Sequence, residues 1–173
     1  MIRKYAKKQD SSRPGRRARA EDTALSAAIR KLARRAYAER ELVRKLAEKY
    51  PAAEIRDAVA RLRSLHLLDD PMFVRQFSES ALTGKRKGLR YIRWELQHRG
   101  VADALINETL EAGRDGERAA AVLVAKRLEA KGREIRNIAG ALQRRGFTSS
   151  AITHALHSLR TTGGNDDVTN DMD

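Results

Sequence analysis

Apolar residues recur along this chain with helical spacing, and the set itself recurs. Leu89, Ile92, Leu96, Gly100, Val101, Ile106 and Leu110 return 46 residues later as Ile135, Ile138, Leu142, Gly146, Phe147, Ile152 and Leu156. A more worn copy lies upstream. Leu42 and Leu46 stand for Ile92 and Leu96; with one residue fewer in the turn, Tyr50, Ile55 and Val59 match Val101, Ile106 and Leu110. Leu32, Leu82 and Leu128 each lie ten residues before Leu42, Ile92 and Ile138, which predicts a preceding helix in every copy. A period of this length marks a helical repeat array, and no segment alternates as a strand would. The predicted fold is all-α: a tandem array of three three-helix repeats forming an elongated, curved protein.

The spacing within a copy has local causes. Ile135, Ile138 and Leu142 share one helix face, as do Ile152, Leu156 and Leu159. Gly146 and Gly100 follow helices at the place where a left-handed cap favours glycine. Thr148 or Ser149 is placed to cap the next helix. In the first copy Lys49 replaces the glycine and Pro51 opens the helix, a position proline tolerates. Leu67-Leu68-Asp69-Asp70-Pro71 and Gly113-Arg114-Asp115-Gly116 read as joints, with Asp70 as the expected cap before Pro71. The expected organisation is a disordered basic tail (1–22), repeats at 23–68, 69–115 and 116–160, and a disordered acidic tail (161–173).

Charge changes the picture from fold to partner. The 173 residues carry a net +13. The tails contribute about +5 and −4, so about +12 belongs to the body. Such a surface attracts polyanions or an acidic protein face, with strong salt dependence; the plain alternative is surplus charge with no specific partner. There is no Cys, which excludes disulfides and thiolate metal sites and fits a reducing cytoplasm. No apolar run is long enough to span a bilayer and no secretory signal is present, so a cytoplasmic protein without membrane contact is expected.

Candidate chemistry is sparse. The carboxylates form no shielded pair of the sort a general acid or base needs. His154 and His157 lie at i, i+3 but have no third ligand nearby, so no metal site is expected. His66 and His98 are lone. There is no phosphate-cradling glycine loop and no nucleophile elbow. No enzyme activity and no cofactor are expected. The basic clusters are more informative. Lys85, Arg86, Lys87, Arg90, Arg93 and Arg99 surround one helix. Arg133, Arg136, Arg144 and Arg145 form a second cluster. Arg34, Arg35, Arg40 and Arg44, with Lys45 and Lys49, form a third. Clusters at corresponding places would align into a stripe if the copies stack. Trp94, the only Trp, faces either a base or partner, or the neighbouring unit; the sequence leaves both open.

Several segments resemble one family, the RecX regulators of the bacterial RecA recombinase. Leu32-Ala33-Arg34-Arg35-Ala36-Tyr37-Ala38-Glu39-Arg40-Glu41-Leu42 is similar to that family's first-repeat signature. Leu65-His66-Leu67-Leu68-Asp69-Asp70-Pro71-Met72-Phe73 is similar to its repeat joint. Gly88-Leu89-Arg90-Tyr91-Ile92-Arg93-Trp94-Glu95-Leu96 and Arg144-Arg145-Gly146-Phe147 complete the ordered set, which spans roughly residues 24–160. Lys49 departs from it, where a small turn residue is common. The resemblance implies tandem three-helix units that bind along the groove of the RecA–DNA filament and suppress filament growth, strand exchange and coprotease activity. It also implies contact with single-stranded DNA in some members. A monomeric inhibitor is the expectation, using the basic residues named above and Trp94. The alternative is a protein that binds single- or double-stranded DNA directly, without a recombinase.

Overall fold

The computed structural model describes residues 22–163. Among them all regular structure is helical: α1 (Ala24–Leu32), α2 (Glu39–Ala47), α3 (Ala52–Ser64), α4 (Asp70–Glu79), a π-helical turn (Ser80–Gly84), α5 (Leu89–His98), α6 (Asp103–Ala112), α7 (Arg114–Glu129), α8 (Ile135–Arg144) and α9 (Ser149–Gly163). The two predicted tails lie outside the described residues, apart from their inner ends. Asp22 is held against Arg30, Lys49 and Tyr50, and α9 runs three residues beyond the expected boundary, to Gly163.

Three apolar cores form in chain order, one per helix triplet. Leu42, Leu46, Ile55 and Leu62 centre the first; Val74, Ile92, Leu96 and Ile106 the second; Ile138, Leu142 and Phe147 the third. We call the triplets units 1, 2 and 3. In each, the first helix packs on the third: α1 on α3, α4 on α6, α7 on α9. The second helix closes the unit with its apolar stripe inward.

The turn from second to third helix follows the expected logic. Gly100 and Gly146 sit at φ +81° and +80°, a region in which a side chain would be strained. The unit 1 turn, one residue shorter, never enters that region, so Lys49 is accommodated there. Thr148 accepts a hydrogen bond from the Ala151 amide, as its capping role requires.

Four details differ from the sequence reading. The cap of α4 is Asp69, which accepts from the Met72 amide at 2.7 Å; Asp70 is the first helical residue and points elsewhere. Leu82 lies not in an α-helix but in the π-turn that continues α4. Ile135 does not join the core face of Ile138 and Leu142; it is 40% exposed. Its counterpart Leu89 is buried, with a methyl 3.1 Å from where a Cβ on Gly113 would stand. Among the described residues no further helix triplet stands against Ile135. On α9 the core is lined by Ala151, Ala155 and Leu159, while Ile152 and Leu156 flank it. Small Ala120, Ala121 and Ala125 on α7 let the two helices approach closely there.

Candidate functional site

The joints between units place the charged residues, and both follow one plan. The second helix of a unit starts without a side-chain cap of its own: α2 follows Ala38 and α5 follows Gly88. Its first amide is satisfied instead by a carboxylate on the first helix of the next unit. The Glu39 amide donates to Asp70 at 2.8 Å. The Leu89 amide donates to Glu117 at 2.8 Å.

At the first joint the remaining contacts are made by side chains. Arg44 donates to the His98 carbonyl at 2.8 Å. Arg99 binds Glu95 on its own helix at 2.7 Å and reaches Glu41 of unit 1 at 3.4 Å; Arg35 also binds Glu41, at 2.6 Å, and lies over the Tyr37 ring. Gly100 lies against the Arg40 side chain. Partial burial pushes the Asp70 carboxyl up from its ordinary value, opposed by the Glu39 amide.

The second joint is closer. The Gly88 amide donates to the Arg145 carbonyl at 3.0 Å, and the Arg90 amide to the Gly146 carbonyl at 2.9 Å. A Cβ on Gly88 would stand 2.2 Å from Phe147 Cα, and one on Gly146 would stand 2.6 Å from the Tyr91 nitrogen. Glu117, only 2% exposed, takes the Leu89 amide, the Thr148 amide at 2.9 Å and the Thr148 hydroxyl at 2.6 Å. The sequence reading passed over Glu117.

The expected site residues divide between these settings. Arg35, Arg44 and Arg99 are engaged within the first joint, and Lys45 and Lys49 pair with Glu48 and Asp22. Arg34 and Arg40 are exposed. Among the described residues, Lys85, Arg86, Lys87, Arg90, Arg93, Arg133, Arg144 and Arg145 make no ion pair, whereas Arg136 makes a long one to Glu134 at 3.6 Å. Lys85, Arg86 and Arg145 converge on one cleft of about 320 Å³, together with Arg127 and Lys131, two residues the sequence reading did not single out. Trp94 is 54% exposed. Its ring lies 4.0 Å from that of His98, whose Nδ1 sits 2.7 Å from the Trp94 carbonyl. It thus presents a face to solvent between the exposed Arg90 and Arg93 side of α5 and the helix end. His154 and His157 are exposed on α9, and among the described residues no cluster of three metal-ligating side chains occurs. No described helix is long and apolar enough to cross a membrane.

Comparison with known proteins gives a consistent result. Residues 24–62 match the family description "RecX, first three-helix domain" and residues 69–110 match "RecX, second three-helix domain". A regulatory protein RecX of Thermus thermophilus is 36% identical over 72% of this chain and 83% of its own length. One from Chromohalobacter salexigens is 37% identical over 79% and 92%. The crystal structure of RecX from Lactobacillus salivarius aligns with TM-score 0.69 over 80% of this chain and 95% of that one. At 20% identity that last likeness concerns the fold alone.

Proposed function

The chain belongs to the RecX family of regulatory proteins, and from that premise we propose that it restrains the RecA recombinase. In this reading it binds along the groove of the recombinase–DNA filament and suppresses filament extension, strand exchange and coprotease activity, without catalysing a reaction itself. The observation that carries the reading is the outer surface of α5. Arg90, Arg93 and Trp94 are exposed there with no ion-pair partner among the described residues, on a helix held at both ends by neighbouring units. An exposed indole beside arginines is the composition of an interface anchor. Arg136 and Arg144 offer a second contact on α8. Several modest contacts on one stiff body gain from effective concentration.

The experiment is addition of the purified protein to recombinase–DNA filaments. The expected result is shorter filaments and slower ATP hydrolysis. Unchanged length and turnover at excess protein would reject the reading. Replacing Arg90 and Arg93 with Glu is expected to weaken inhibition tenfold or more at unchanged helix content. A double variant that inhibits normally would show that α5 is not the contact surface.

A further inference from the structure

Both joints complete the head of a middle helix from outside its own unit, and unit 3 presents such a head a third time. The Glu39 and Leu89 amides, which open α2 and α5, meet Asp70 and Glu117. The Ile135 amide, which opens α8, has no acceptor among the described residues. Glu134 precedes it but makes no side-chain cap bond; its carboxylate faces Arg136 instead, at 3.6 Å. The apolar position repeats the contrast, since Leu89 is 6% exposed and Ile135 is 40% exposed. A bare amide beside an uncovered isoleucine is the surface that unit 2 offers to unit 3. Unit 3 offers it again, with nothing among the described residues against it.

The chain itself supplies an occupant close to the right register. Asp70 and Glu117 lie 47 residues apart. A further interval of that length ends at position 164, and the first carboxylates beyond α9 are Asp166 and Asp167, two and three residues later. Asp166-Asp167-Val168 also repeats the order of Asp69-Asp70-Pro71, paired carboxylates and then an apolar residue. Residues 164–173 hold four Asp and neither Lys nor Arg, a charge that suits the positive end of a helix flanked by Arg133 and Arg136. The connection required is short. Thr148, just ahead of α9, binds Glu117 near the start of α7, so α9 runs beside α7 in the same direction. Between them α8 runs back, and Leu159, late in α9, shares a core with Ile138, one turn into α8. The close of α9 and the head of α8 therefore lie at the same end of the unit. Packed helix axes are about 8–10 Å apart, and the four residues from Gly163 to Asp167 span up to ~13 Å.

We propose that residues 164–173 dock on the head of α8 in the same molecule: Asp167 accepts from the Ile135 amide, and Val168 covers the Ile135 side chain. The segment thereby does for unit 3 what the start of α4 does for unit 1 and the start of α7 for unit 2. A second copy of the chain fits less well. Its unit 1 would have to meet this head, and there the first turn of α1 has no acidic residue. The Glu54 carboxylate is already taken by the Ala24 amide, and Asp22 is held by Lys49, Tyr50 and Arg30. The docking concerns the protein alone and does not rest on the regulatory reading.

The test is amide hydrogen exchange in the full chain, followed by NMR at Ile135. Its amide is expected to exchange roughly tenfold or more slowly than in the double variant Asp166→Ala, Asp167→Ala. The double variant Asp171→Ala, Asp173→Ala removes the same charge and is expected to change the rate less than about twofold. Equal acceleration in both variants, or none in the first, overturns the proposal. A second readout uses the absence of Cys from the chain. With Ile135→Cys and Val168→Cys in one chain, mild oxidation is expected to give a disulfide within the monomer. Disulfide-linked dimers would mean that the segment covers another copy, and free thiols that it lies elsewhere; either result overturns the proposal. So does a bond formed as readily when Val168→Cys is combined with Arg127→Cys, since the acidic segment would then sit in the cationic cleft.

Discussion

Where unit 1 meets unit 2, Ala38 stands before α2, fully buried, and Asp70 satisfies one amide beside it. Where unit 2 meets unit 3, Gly88 occupies the corresponding place, and backbone touches backbone. The recesses left beside the two joints differ as well. The first is largely apolar, lined by Leu32, Tyr37, Leu67, Met72 and Phe73. The second is the cationic cleft. One topology has thus been finished in two ways: the first joint spends its arginines on holding units together, and the second is held by amides, carbonyls and one buried carboxylate. Arginines freed from structural duty are the ones available to a partner. Basic clusters of equal appearance in sequence thus separate by how the backbone around them is closed.

The contrast can be broken from its strongest point. Glu117→Ala removes the acceptor of two amides and a hydroxyl in a buried place, and is expected to cost about 3 kcal/mol in urea unfolding. Asp70→Ala, at the corresponding but half-exposed site, is expected to cost about 1 kcal/mol. Equal effects would show that the joints are equivalent. Next, Gly88→Ala forces a Cβ onto the Phe147 backbone and is expected to destabilise by about 2 kcal/mol. The mirror change Ala38→Gly meets no obstruction and is expected to cost below about 1 kcal/mol, mainly through chain entropy. Should Gly88→Ala be neutral, the close approach at the second joint is not required.

The smallest effect sharpens the picture of unit 1. Lys49 foremost, with Tyr50 and Arg30, holds the exposed Asp22 carboxyl at about 2, below its ordinary value of 3.8. The folded state therefore favours the ionised form. Its contribution is present above roughly pH 4 and fades as pH falls toward 2. In Asp22→Asn this part of the acid dependence is expected to vanish, read as a flatter thermal midpoint between those pH values. An unaltered profile would place the acid sensitivity in other carboxylates.

The helices, their number and their grouping were legible because burial imposes its period directly on side-chain type. Gly100 and Gly146 were legible for a similar reason, since a left-handed turn leaves few residue choices. The joints were only half legible. Asp69 and Asp70 announced a helix start, but which one caps and which one crosses to Glu39 depends on a neighbouring unit. Glu117 follows Asp70 by 47 residues, one out of register with the apolar repeat, and its partners are mostly backbone amides, which leave no trace in the sequence. Arg127 and Lys131 read as an ordinary basic helix end; only folding brings them opposite Arg86. Ile135 obeyed the pattern and is exposed, because periodicity records the face of a helix and not whether anything stands against it.

The carboxylate that crosses each joint also gives the array a direction in time. Asp70 completes α2, and Glu117 completes α5; in both cases the finishing group lies later in the chain than the helix it finishes. A ribosome delivers the N-terminal triplet first, with the head of its middle helix still bare. The heads of these two helices are therefore sealed by the unit that follows, and a nascent chain halted after residue 64 is expected to fray at Glu39 until α4, which carries Asp70, has emerged and docked.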